Sequence, residues 1–391
     1  MTVRQRATLA DGRELFYFDA AAGRDRGAVD GRTDLPAAST SSQVRWDPLF
    51  RTHTVIAGHR QARTYLPPAD LCPLCPSRDG KNTEIPAADY EVVAFENRFP
   101  AFSVHAADTV PFVAEPPFRS APGAGRCEVV CFTPDHDGSF STLTPQQARV
   151  VIDAWADRTA ALAGVDSIDY VFCFENRGEE IGVTLSHPHG QIYGYPFIPP
   201  RFFNAAQTAR RYRERTDACL QCVLLAAELQ AGKRIVTESA RWVAYVPFAA
   251  RWPYEVRVVP REHVPDLPAL SGRQRDDLAA VYLDVLGKFD RLFDGPASYI
   301  AGWQQAPARQ DREVWHLAAE VFTIRRAPGK LKYLAGSESG AGIWINDVAP
   351  EAAAARLRGD LDLAASAGPR PPPRRPRHHP RDVAELQRSR S

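Results

Sequence analysis

The sequence lacks several features that would assign it to a class at once. No stretch approaches the roughly 20 consecutive apolar residues that a membrane span requires. Lys and Arg number 48 against 47 Asp and Glu, so the formal net charge is only +1 and provides no field for nucleic acid or acidic membranes. The first residues run into Asp11, Arg13 and Glu14 rather than into the apolar core of a secretory signal. We therefore expect a cytoplasmic protein with no nucleic-acid or membrane partner.

Two common catalytic motifs are also absent. The sequence contains neither the phosphate-binding pattern G-x-x-x-x-G-K-[ST] nor the nucleophile pattern G-x-S-x-G, which removes the basis for an NTPase or a serine hydrolase. It does contain seven cysteines, an odd number, and four of them form the C-x-x-C pairs Cys72/Cys75 and Cys219/Cys222. In a cytosolic protein this spacing indicates metal binding or redox chemistry before a disulfide framework.

The chain repeats one pattern in its two halves. A C-x-x-C pair, a short β-rich run, and a second run ending in histidine precede a helix-like segment in each half; the second runs are Glu128–His136 and Glu255–His263. In the first half Thr144 is positioned to cap a helix, with Pro145 at its first position and Gln147 three residues after the cap. Each unit reads strand, strand, helix, strand, which predicts an α+β fold with antiparallel pairing that arose by tandem duplication.

The 391 residues divide into four predicted segments. Residues 1–43 hold an N-terminal strand and a loose connection, residues 44–204 form the first unit, and residues 205–364 form the second. Residues 365–391 are rich in Pro and Arg, and we expect them to be a disordered, solvated tail rather than a basic arm for RNA or acidic partners.

The most specific motif is the string H-P-H-G-Q at residues 187–191, which follows F-E-N-R-G at residues 174–178. Side chains alternate between faces along a strand, so His187, His189 and Gln191 are expected to point the same way. The intervening proline marks an edge strand or a strand end. The motif therefore predicts two histidines and an amide at one site.

This combination suits phosphate chemistry. A neutral imidazole brings no negative charge to an anionic phosphate and is a good nucleophile near pH 7, which makes His189 a candidate nucleophile. Gln191 could donate to a nonbridging oxygen, and Gly190 would let a ligand approach the main chain. The alternative is a pair of structural or zinc-binding histidines without catalysis.

Cys72 and Cys75 have the spacing of half a zinc site, and His136 and His187 are candidates to complete it. Four protein ligands would make the zinc structural, and the metal would help to orient His189 through its neighbour His187.

The second C-x-x-C pair is less promising. The nearest candidate partner of Cys219 and Cys222 is His263 alone, so we expect buried or inert thiols there rather than a second zinc.

Taken together, H-P-H-G-Q, F-E-N-R-G, the first C-x-x-C and C-F-T-P-D-H at residues 131–136 resemble the galactose-1-phosphate uridylyltransferase family of the histidine-triad superfamily. The resemblance runs from about Val44 to Leu357. It implies tandem half-barrel units and a ping-pong reaction. UDP-glucose would give its uridylyl group to His189, and galactose 1-phosphate would then take it to form UDP-galactose.

The resemblance also implies roles for individual residues. His189 would be the nucleophile and Gln191 the partner of the uridylyl phosphate, and one structural zinc per subunit would be held by Cys72, Cys75, His136 and His187. It further implies a homodimer in which a C-terminal stretch crosses to the other subunit. The substrate-binding positions implied in this way are Arg60, Arg63, Asn97, Arg98, Asn176, Gly182, Val183, Thr184, Gln191, Lys332, Gly336, Ser337 and Glu338.

One departure from the family pattern argues against a second metal of a different kind. Some family members hold iron in the second half through three histidines and a glutamate, whereas this sequence has Ala318, Glu320 and Gln304 at the histidine positions and Ala205 near the glutamate's. We therefore expect no iron, and we expect His316 to be a structural histidine.

Two other functions remain as alternatives. A dinucleoside polyphosphate phosphorylase or a nucleotidyl hydrolase of the same superfamily would use the same nucleophile, although Gln191 favours the transferase because the hydrolases usually have a further histidine there. A non-enzymatic zinc protein is the least favoured.

Overall fold

The structure is a computed structural model that describes residues 2–33, 35, 41–62, 66–78, 80–106 and 113–361. Arg63 and the predicted tail at residues 365–391 lie outside the described residues. The strands, in chain order, are β1 (Val3–Thr8), β2 (Glu14–Asp19), β3 (Gln43–Asp47), β4 (Thr52–Ile56), β5 (Val92–Glu96), β6 (Val113–Glu115), β7 (Phe118–Pro122), β8 (Arg126–Cys131), β9 (Tyr170–Arg177), β10 (His189–Tyr195), β11 (Ile235–Glu238), β12 (Trp242–Tyr245), β13 (Tyr254–Pro260), β14 (Tyr299–Gln304), β15 (Ala318–Thr323), β16 (Arg325–Ala327) and β17 (Lys330–Leu331). The helices are α1 (Pro145–Ala163), α2 (Pro200–Thr216), α3 (Leu220–Ala231), α4 (Gly272–Arg291), α5 (Gly336–Ala341) and α6 (Pro350–Arg358).

Eleven strands form one antiparallel sheet in the order β1-β2-β5-β8-β10-β9-β14-β15-β13-β12-β11. The order β5-β8-β10-β9 of the first half is mirrored by β14-β15-β13-β12 of the second, and the halves join where β9 pairs with β14. The predicted α+β class, antiparallel pairing and duplicated units are thereby confirmed.

Helices α1 and α4 cover one face of this sheet, here called the helix face. Their apolar sides pack together with alternate strand residues, including Val130, Ile192 and Val258, in the main hydrophobic core. Helix α1 begins as predicted, because Thr144 accepts a hydrogen bond from the amide of Gln147 in a capping box. The duplicate helix α4 begins with the same device.

The opposite face of the sheet, here called the site face, is covered by different elements in the two halves. In the first half a four-stranded sheet in the order β4-β3-β7-β6 contributes Val44, which packs in a cluster with Cys127 of β8. In the second half Phe202 of α2 and Leu225 of α3 enter two further buried clusters. The cover is incomplete near the start of β10, and the motif histidines lie there.

The N-terminal segment is more structured than the sequence predicted. The sequence indicated one strand before residue 43, whereas β1 and β2 form a hairpin whose second strand pairs with β5 and extends the large sheet. Alternation of exposed and half-buried residues along β1 is compatible with an edge strand, but the segment is too polar to be recognised as one.

Among the described residues, no helix is long and apolar enough to cross a membrane.

Candidate active site

The motif string places His189 at the first residue of β10, between β8 and β9. Its side chain is held by one main-chain contact: Nδ1 lies 2.7 Å from the carbonyl oxygen of His187. A carbonyl can only accept, so Nδ1 carries the proton and donates it. The lone pair of the neutral ring is therefore on Nε2.

Burial keeps this imidazole neutral. Desolvation lowers the pKa of His189, although the hydrogen bond to the His187 carbonyl acts in the opposite direction. At neutral pH the ring is thus a free base with a fixed tautomer, which is the state that a nucleophile at phosphorus requires.

The neighbouring residues of the motif divide between the two faces of the sheet. Gln191 pairs with Phe174 across β9 and shares the site face with His189, as predicted. Gly190 points the other way. A Cβ at this residue would lie 2.8 Å from the Phe132 ring, so the glycine is required by core packing and not, as expected, by a ligand.

Two cavities meet at His189. The first, the Arg98 cavity, has a volume of about 170 Å³ and is lined by Arg13, Pro73, Leu74, Glu84, Phe95, Asn97, Arg98, Phe99, Val129, Thr184, Leu185, His189 and Gln191. The second, the Asn176 cavity, has a volume of about 190 Å³, and its lining includes Asn176, Val183, Leu185, His187 and His189. The arrangement leaves one imidazole accessible from a basic pocket and from a polar one.

Most of the predicted substrate-binding residues in the first half adjoin these cavities. Asn97, Arg98 and Thr184 line the first, and Asn176 and Val183 line the second. In that segment a short 3-10 turn ends at Gly182, whose φ of +79° favours glycine.

Arg60, a predicted substrate-binding residue, is not among the described residues that line either cavity. It belongs to a 3-10 turn spanning Gly58–Ala62. The turn is anchored near Arg98, because Nε2 of His59 lies 2.9 Å from the carbonyl oxygen of Pro100, two residues further along the chain.

The predicted C-terminal sugar-binding residues also lie apart from His189. The Lys332 ammonium is buried and donates to a Glu338 carboxylate oxygen at 2.6 Å, and Gly336 and Ser337 begin helix α5 beside them. None of these four residues is among the described residues that line the two cavities. Neighbouring apolar side chains are strongly exposed, with 72% for Tyr333 and 63% for Ile343.

The four predicted metal ligands converge. The ligand atoms of Cys72, Cys75, His136 and His187 lie within 4.8 Å of one another, and Cys75 Sγ is 3.4 and 3.6 Å from the Nδ1 atoms of His136 and His187. A tetrahedral zinc with Zn–S of about 2.3 Å and Zn–N of about 2.0 Å places sulfur and nitrogen about 3.5 Å apart. The donor set and its spacing therefore fit that ion.

The metal-facing atom of His187 is fixed by contacts on the other side of its ring. Nε2 lies 2.9 Å from the carbonyl oxygen of Thr133 and 2.8 Å from the hydroxyl of Tyr90. A proton on Nε2 directs the Nδ1 lone pair towards the cluster, the usual outer contact of a metal-binding histidine. Burial lowers the pKa of His187 to about 4, which favours the neutral ligand form.

The second C-x-x-C pair has one more histidine beside it than the sequence analysis expected. Cys219 and Cys222 meet two histidines, His263 and His316, and all four ligand atoms lie within 4.8 Å of one another. Cys222 Sγ is 3.5 Å from Nδ1 of His263 and 3.2 Å from Nδ1 of His316. His316 Nε2 lies 2.9 Å from the carbonyl oxygen of Pro260, which repeats the outer contact of His187. The residues that the structure describes thus form two Cys₂His₂ clusters suited to a metal ion, and His316 belongs to one of them.

The second half retains the cluster but has no nucleophile. His316 corresponds to His187, so Ala318 stands at the position of His189 and Glu320 at that of Gln191. Ala318 is 1% exposed and packs in a cluster with Leu225 of helix α3, which fills the space that the first half leaves open.

The residues at the place of the family's iron do not fit that metal. Both carboxylate oxygens of Glu320 accept from Arg201, at 2.7 and 2.8 Å, and one also accepts from Arg251 at 2.8 Å. Gln304 accepts from Arg257 at 2.7 Å. An ion-pair network with no imidazole therefore occupies this position.

A larger cavity, of about 600 Å³, lies elsewhere and is not the site. Aromatic residues such as Trp46, His53 and Phe197 line it, and none of the predicted site residues is among its described lining. Volume alone is a poor guide here, because the smaller cavities contain the nucleophile candidate and the convergent polar groups.

Known proteins match the chain over most of its length. The profile of the galactose-1-phosphate uridyl transferase N-terminal domain matches residues 34–199, and that of the C-terminal domain matches residues 205–367. A galactose-1-phosphate uridylyltransferase of Streptomyces lividans is 43% identical over 365 residues, covering 91% of this chain and 97% of the relative. One from Thermotoga maritima is 35% identical, covering 81% and 98%. A solved uridylyltransferase structure, 30% identical, superposes with a TM-score of 0.72 and covers 83% of this chain and 99% of its own.

Fold, site and relatives together define a nucleotidyltransferase built on one large antiparallel sheet. Within that class, the chain belongs to the galactose-1-phosphate uridylyltransferase family.

Several residues near the site were not predicted from the sequence. His316 carried a usable signal, since aligning the two halves places it on His187. Arg13 and Glu84 line the Arg98 cavity and Tyr90 contacts His187, but no local motif distinguishes these three residues.

Proposed function

We propose that the protein transfers a uridylyl group from UDP-glucose to galactose 1-phosphate through a covalent intermediate on His189. The observation that carries the proposal is the hydrogen bond that orients this imidazole. Nδ1 donates to the His187 carbonyl, and the neutral ring presents Nε2 where the two cavities meet. Membership of the family supports the choice of nucleotide and sugars.

The first half-reaction forms one bond and breaks one. Nε2 of His189 attacks the uridylyl phosphorus, the bond from that phosphorus to the bridging oxygen breaks, and glucose 1-phosphate leaves with the bridging oxygen. The ring gains positive charge as the N–P bond forms, and the hydrogen bond from Nδ1 to the His187 carbonyl stabilises that charge.

The second half-reaction reverses these roles. A phosphate oxygen of galactose 1-phosphate attacks the same phosphorus, the N–P bond breaks, and UDP-galactose leaves with the neutral imidazole restored. Gln191 lies in the same cavity wall, and its amide would donate to a nonbridging oxygen of the transferred phosphate in both steps.

The cavities suggest a division of binding. Asn97 and Arg98 would hold the nucleotide in the Arg98 cavity, while Asn176, Val183 and the residues around Gly182 would flank the phosphates and sugar. Arg60 and Arg63 would bind the diphosphate in the substrate complex, for which paired guanidinium groups are well suited.

We assign zinc to both Cys₂His₂ clusters on donor chemistry and spacing. Bound there, zinc would supply folding energy and fixed ligand geometry, since four protein ligands leave no open coordination position. In the first cluster, fixing the ring of His187 also fixes the carbonyl that orients His189.

The C-terminal residues Lys332, Gly336, Ser337 and Glu338 would serve the active site of a second subunit in a homodimer. Their distance from the two cavities and the exposed apolar side chains of Tyr333 and Ile343 support this arrangement. Light scattering on the purified protein tests it, and a monomer at micromolar concentration would contradict it.

Intact-mass measurement tests the central claim. Incubation with UDP-glucose alone should add one uridylyl group, peptide mapping should place it on His189, and galactose 1-phosphate should discharge it as UDP-galactose. Parallel incubation with ADP-glucose tests the base, because an adduct from that donor but not from UDP-glucose would overturn the proposal.

A further inference from the structure

The N-terminal hairpin reaches the wall of the Arg98 cavity. Strands β1 and β2 precede the first residue of the family match, residue 34, yet β2 pairs with β5, whose last residue is Glu96 and leads directly into Asn97. The hairpin therefore brings to the cavity a contribution that the family profile does not describe.

That contribution is Arg13, at the end of the hairpin turn. The turn is closed by a hydrogen bond of 2.8 Å from the amide of Leu9 to the carbonyl of Arg13, with Gly12 at a φ of +84°. The Arg13 side chain is only 3% exposed and lines the same cavity as His189 and Gln191.

Its guanidinium has three different acceptors. Nε donates to Asp11 at 2.7 Å, Nη1 donates to the main-chain carbonyl of Glu96 at 2.7 Å, and Nη2 donates to the carboxylate of Glu84. The planar guanidinium thereby joins the hairpin, the end of β5 and the segment after Cys75 that contains Glu84.

Glu84 extends this link to Arg98, the half-buried cation of the cavity. Its second oxygen lies 2.7 Å from Nη1 of Arg32 and 3.7 Å from Nη1 of Arg98, and its amide donates to the carbonyl of Pro73 at 3.0 Å. The carboxylate is 6% exposed, so its position depends strongly on its partners. Loss of Arg13 would leave Glu84 with Arg32 and Arg98 as its remaining cations and would remove one hydrogen bond to the Glu96 carbonyl.

We propose that Arg13 is a positioning residue for nucleotide binding, acting through the Glu96 carbonyl on Asn97 and through Glu84 on Arg98. This inference rests on the proposed function, in which the Arg98 cavity receives the nucleotide. It assigns to the N-terminal hairpin a role in substrate affinity beyond extending the sheet.

The two half-reactions of a ping-pong enzyme separate this role from a general structural one. The nucleotide binds anew only in the first half-reaction. In the second half-reaction the nucleotide is already attached to His189. Contacts that hold it equally in the ground state and the transition state therefore do not affect kcat/KM for galactose 1-phosphate. Arg13→Gln should therefore lower kcat/KM for UDP-glucose about ten-fold or more and leave kcat/KM for galactose 1-phosphate within about two-fold.

Arg6→Gln is the matched control. Arg6 lies on β1 of the same hairpin, its side chain is 66% exposed, and its ion pair is with Glu14 rather than with a cavity residue. The control removes the same charge and should leave both kinetic constants unchanged. Melting temperature and metal content of each variant show whether the hairpin and the clusters remain folded.

Three results would overturn the proposal. The first is a kcat/KM for UDP-glucose that is the same in Arg13→Gln and Arg6→Gln, and the second is an equal fall in kcat/KM for UDP-glucose and for galactose 1-phosphate in Arg13→Gln. The third is a wild-type protein that forms no uridylyl adduct, and only this third result would also overturn the proposed function. If Arg13→Gln does not fold, Arg13→Lys decides, because it keeps the charge but cannot reach Glu84 and the Glu96 carbonyl with one planar group. It should show the same selective fall, and wild-type constants would contradict the positioning role.

Discussion

The carbonyl oxygen of His187 accepts a hydrogen bond of 2.7 Å from Nδ1 of His189. Two roles that are separate in chemistry are thus joined through one residue: the side chain of His187 belongs to the first Cys₂His₂ cluster, and its main chain orients the proposed nucleophile. The remaining contacts of the His187 ring, to Thr133 and Tyr90, extend this support into the core. The proposed active geometry therefore depends on a Cys₂His₂ cluster that neither forms nor breaks a bond in the two half-reactions.

Replacing the nucleophile should stop transfer without unfolding the protein. In His189→Ala we expect turnover to fall by at least about 10⁴-fold, because the variant loses the imidazole whose Nε2 is the proposed attacking atom. Steady-state assay with both substrates gives the rate, and circular dichroism with a metal assay reports the fold. Substantial residual turnover in His189→Ala, or a uridylyl adduct that still forms in this variant, would exclude His189 as the acceptor.

Removing the amide of Gln191 should slow the chemistry more than it weakens binding. Gln191→Ala loses a donor that faces the transferred phosphate, and one such donor is typically worth about 10²- to 10³-fold in rate. Rapid-quench measurement of adduct formation at saturating UDP-glucose separates rate from affinity. An unchanged single-turnover rate with a raised KM would assign Gln191 to ground-state binding instead.

The two clusters should respond differently to loss of a cysteine. Mass spectrometry of metal content should find two zinc ions in the wild type and one in each of Cys72→Ser and Cys219→Ser. Both variants should melt at a lower temperature, because structural zinc is coupled to folding. Only Cys72→Ser should also lose most of its activity, since the second cluster lies beside Ala318 rather than a nucleophile. One ion in the wild type would refute the two-zinc assignment.

The buried carboxyl group of Glu175 should make stability depend on pH. Burial, together with the negative charge of Asp290, raises its pKa to about 8, against a hydrogen bond of 2.9 Å from Tyr299 and the positive charge of Arg177. Between about pH 4.5 and 8 the folded chain keeps a proton that the unfolded chain releases, so folding stability falls as pH rises, by up to about 1.4 kcal/mol per pH unit.

Glu175→Gln should remove that slope. We expect the variant to gain stability relative to the wild type as the pH is raised from 5 to 8, measured by denaturant unfolding. Glu179→Gln, at an exposed position on the next turn, is the control and should leave the slope unchanged. Parallel pH curves for wild type and Glu175→Gln would show that Glu175 is ionised in the folded state.

The ion-pair network of the second half should be destabilised by loss of its central acid. Burial alone would raise the pKa of Glu320, but the hydrogen bonds and charges of Arg201 and Arg251 outweigh it and lower the pKa to about 2. Glu320→Ala leaves two arginines without their shared partner and should cost about 2–4 kcal/mol. Exposed Glu313→Ala is the control, and equal unfolding free energies for the two variants would contradict the structural role.

The sequence was most informative where a feature depends on local spacing. The cap at Thr144, the pairing of short β-rich runs and the first metal cluster follow from residue types at short separations or from one highly specific string. Gly190 shows the limit of such reasoning, because the string suggests a ligand contact whereas the Phe132 ring, distant in sequence, determines the need for glycine.

The features that the sequence did not predict are long-range. His316 was assigned to structure because the residues that follow it, Ala318 and Glu320, had lost the family pattern, although the cluster beside them is intact. Arg13 contacts Glu84 and Glu96, more than 70 residues away, and no periodicity in the chain foreshadows that meeting. Such contacts are set by the pairing of β2 with β5.

The pairing of β9 with β14 has one further consequence. Each of these strands would be an unprotected sheet edge if its half of the chain stood alone, and their mutual hydrogen bonds remove both edges at once. The second half therefore covers the open sheet edge of the half that contains the proposed nucleophile. The second half of the chain is therefore useful without a catalytic role, because it prevents self-association through an open sheet edge.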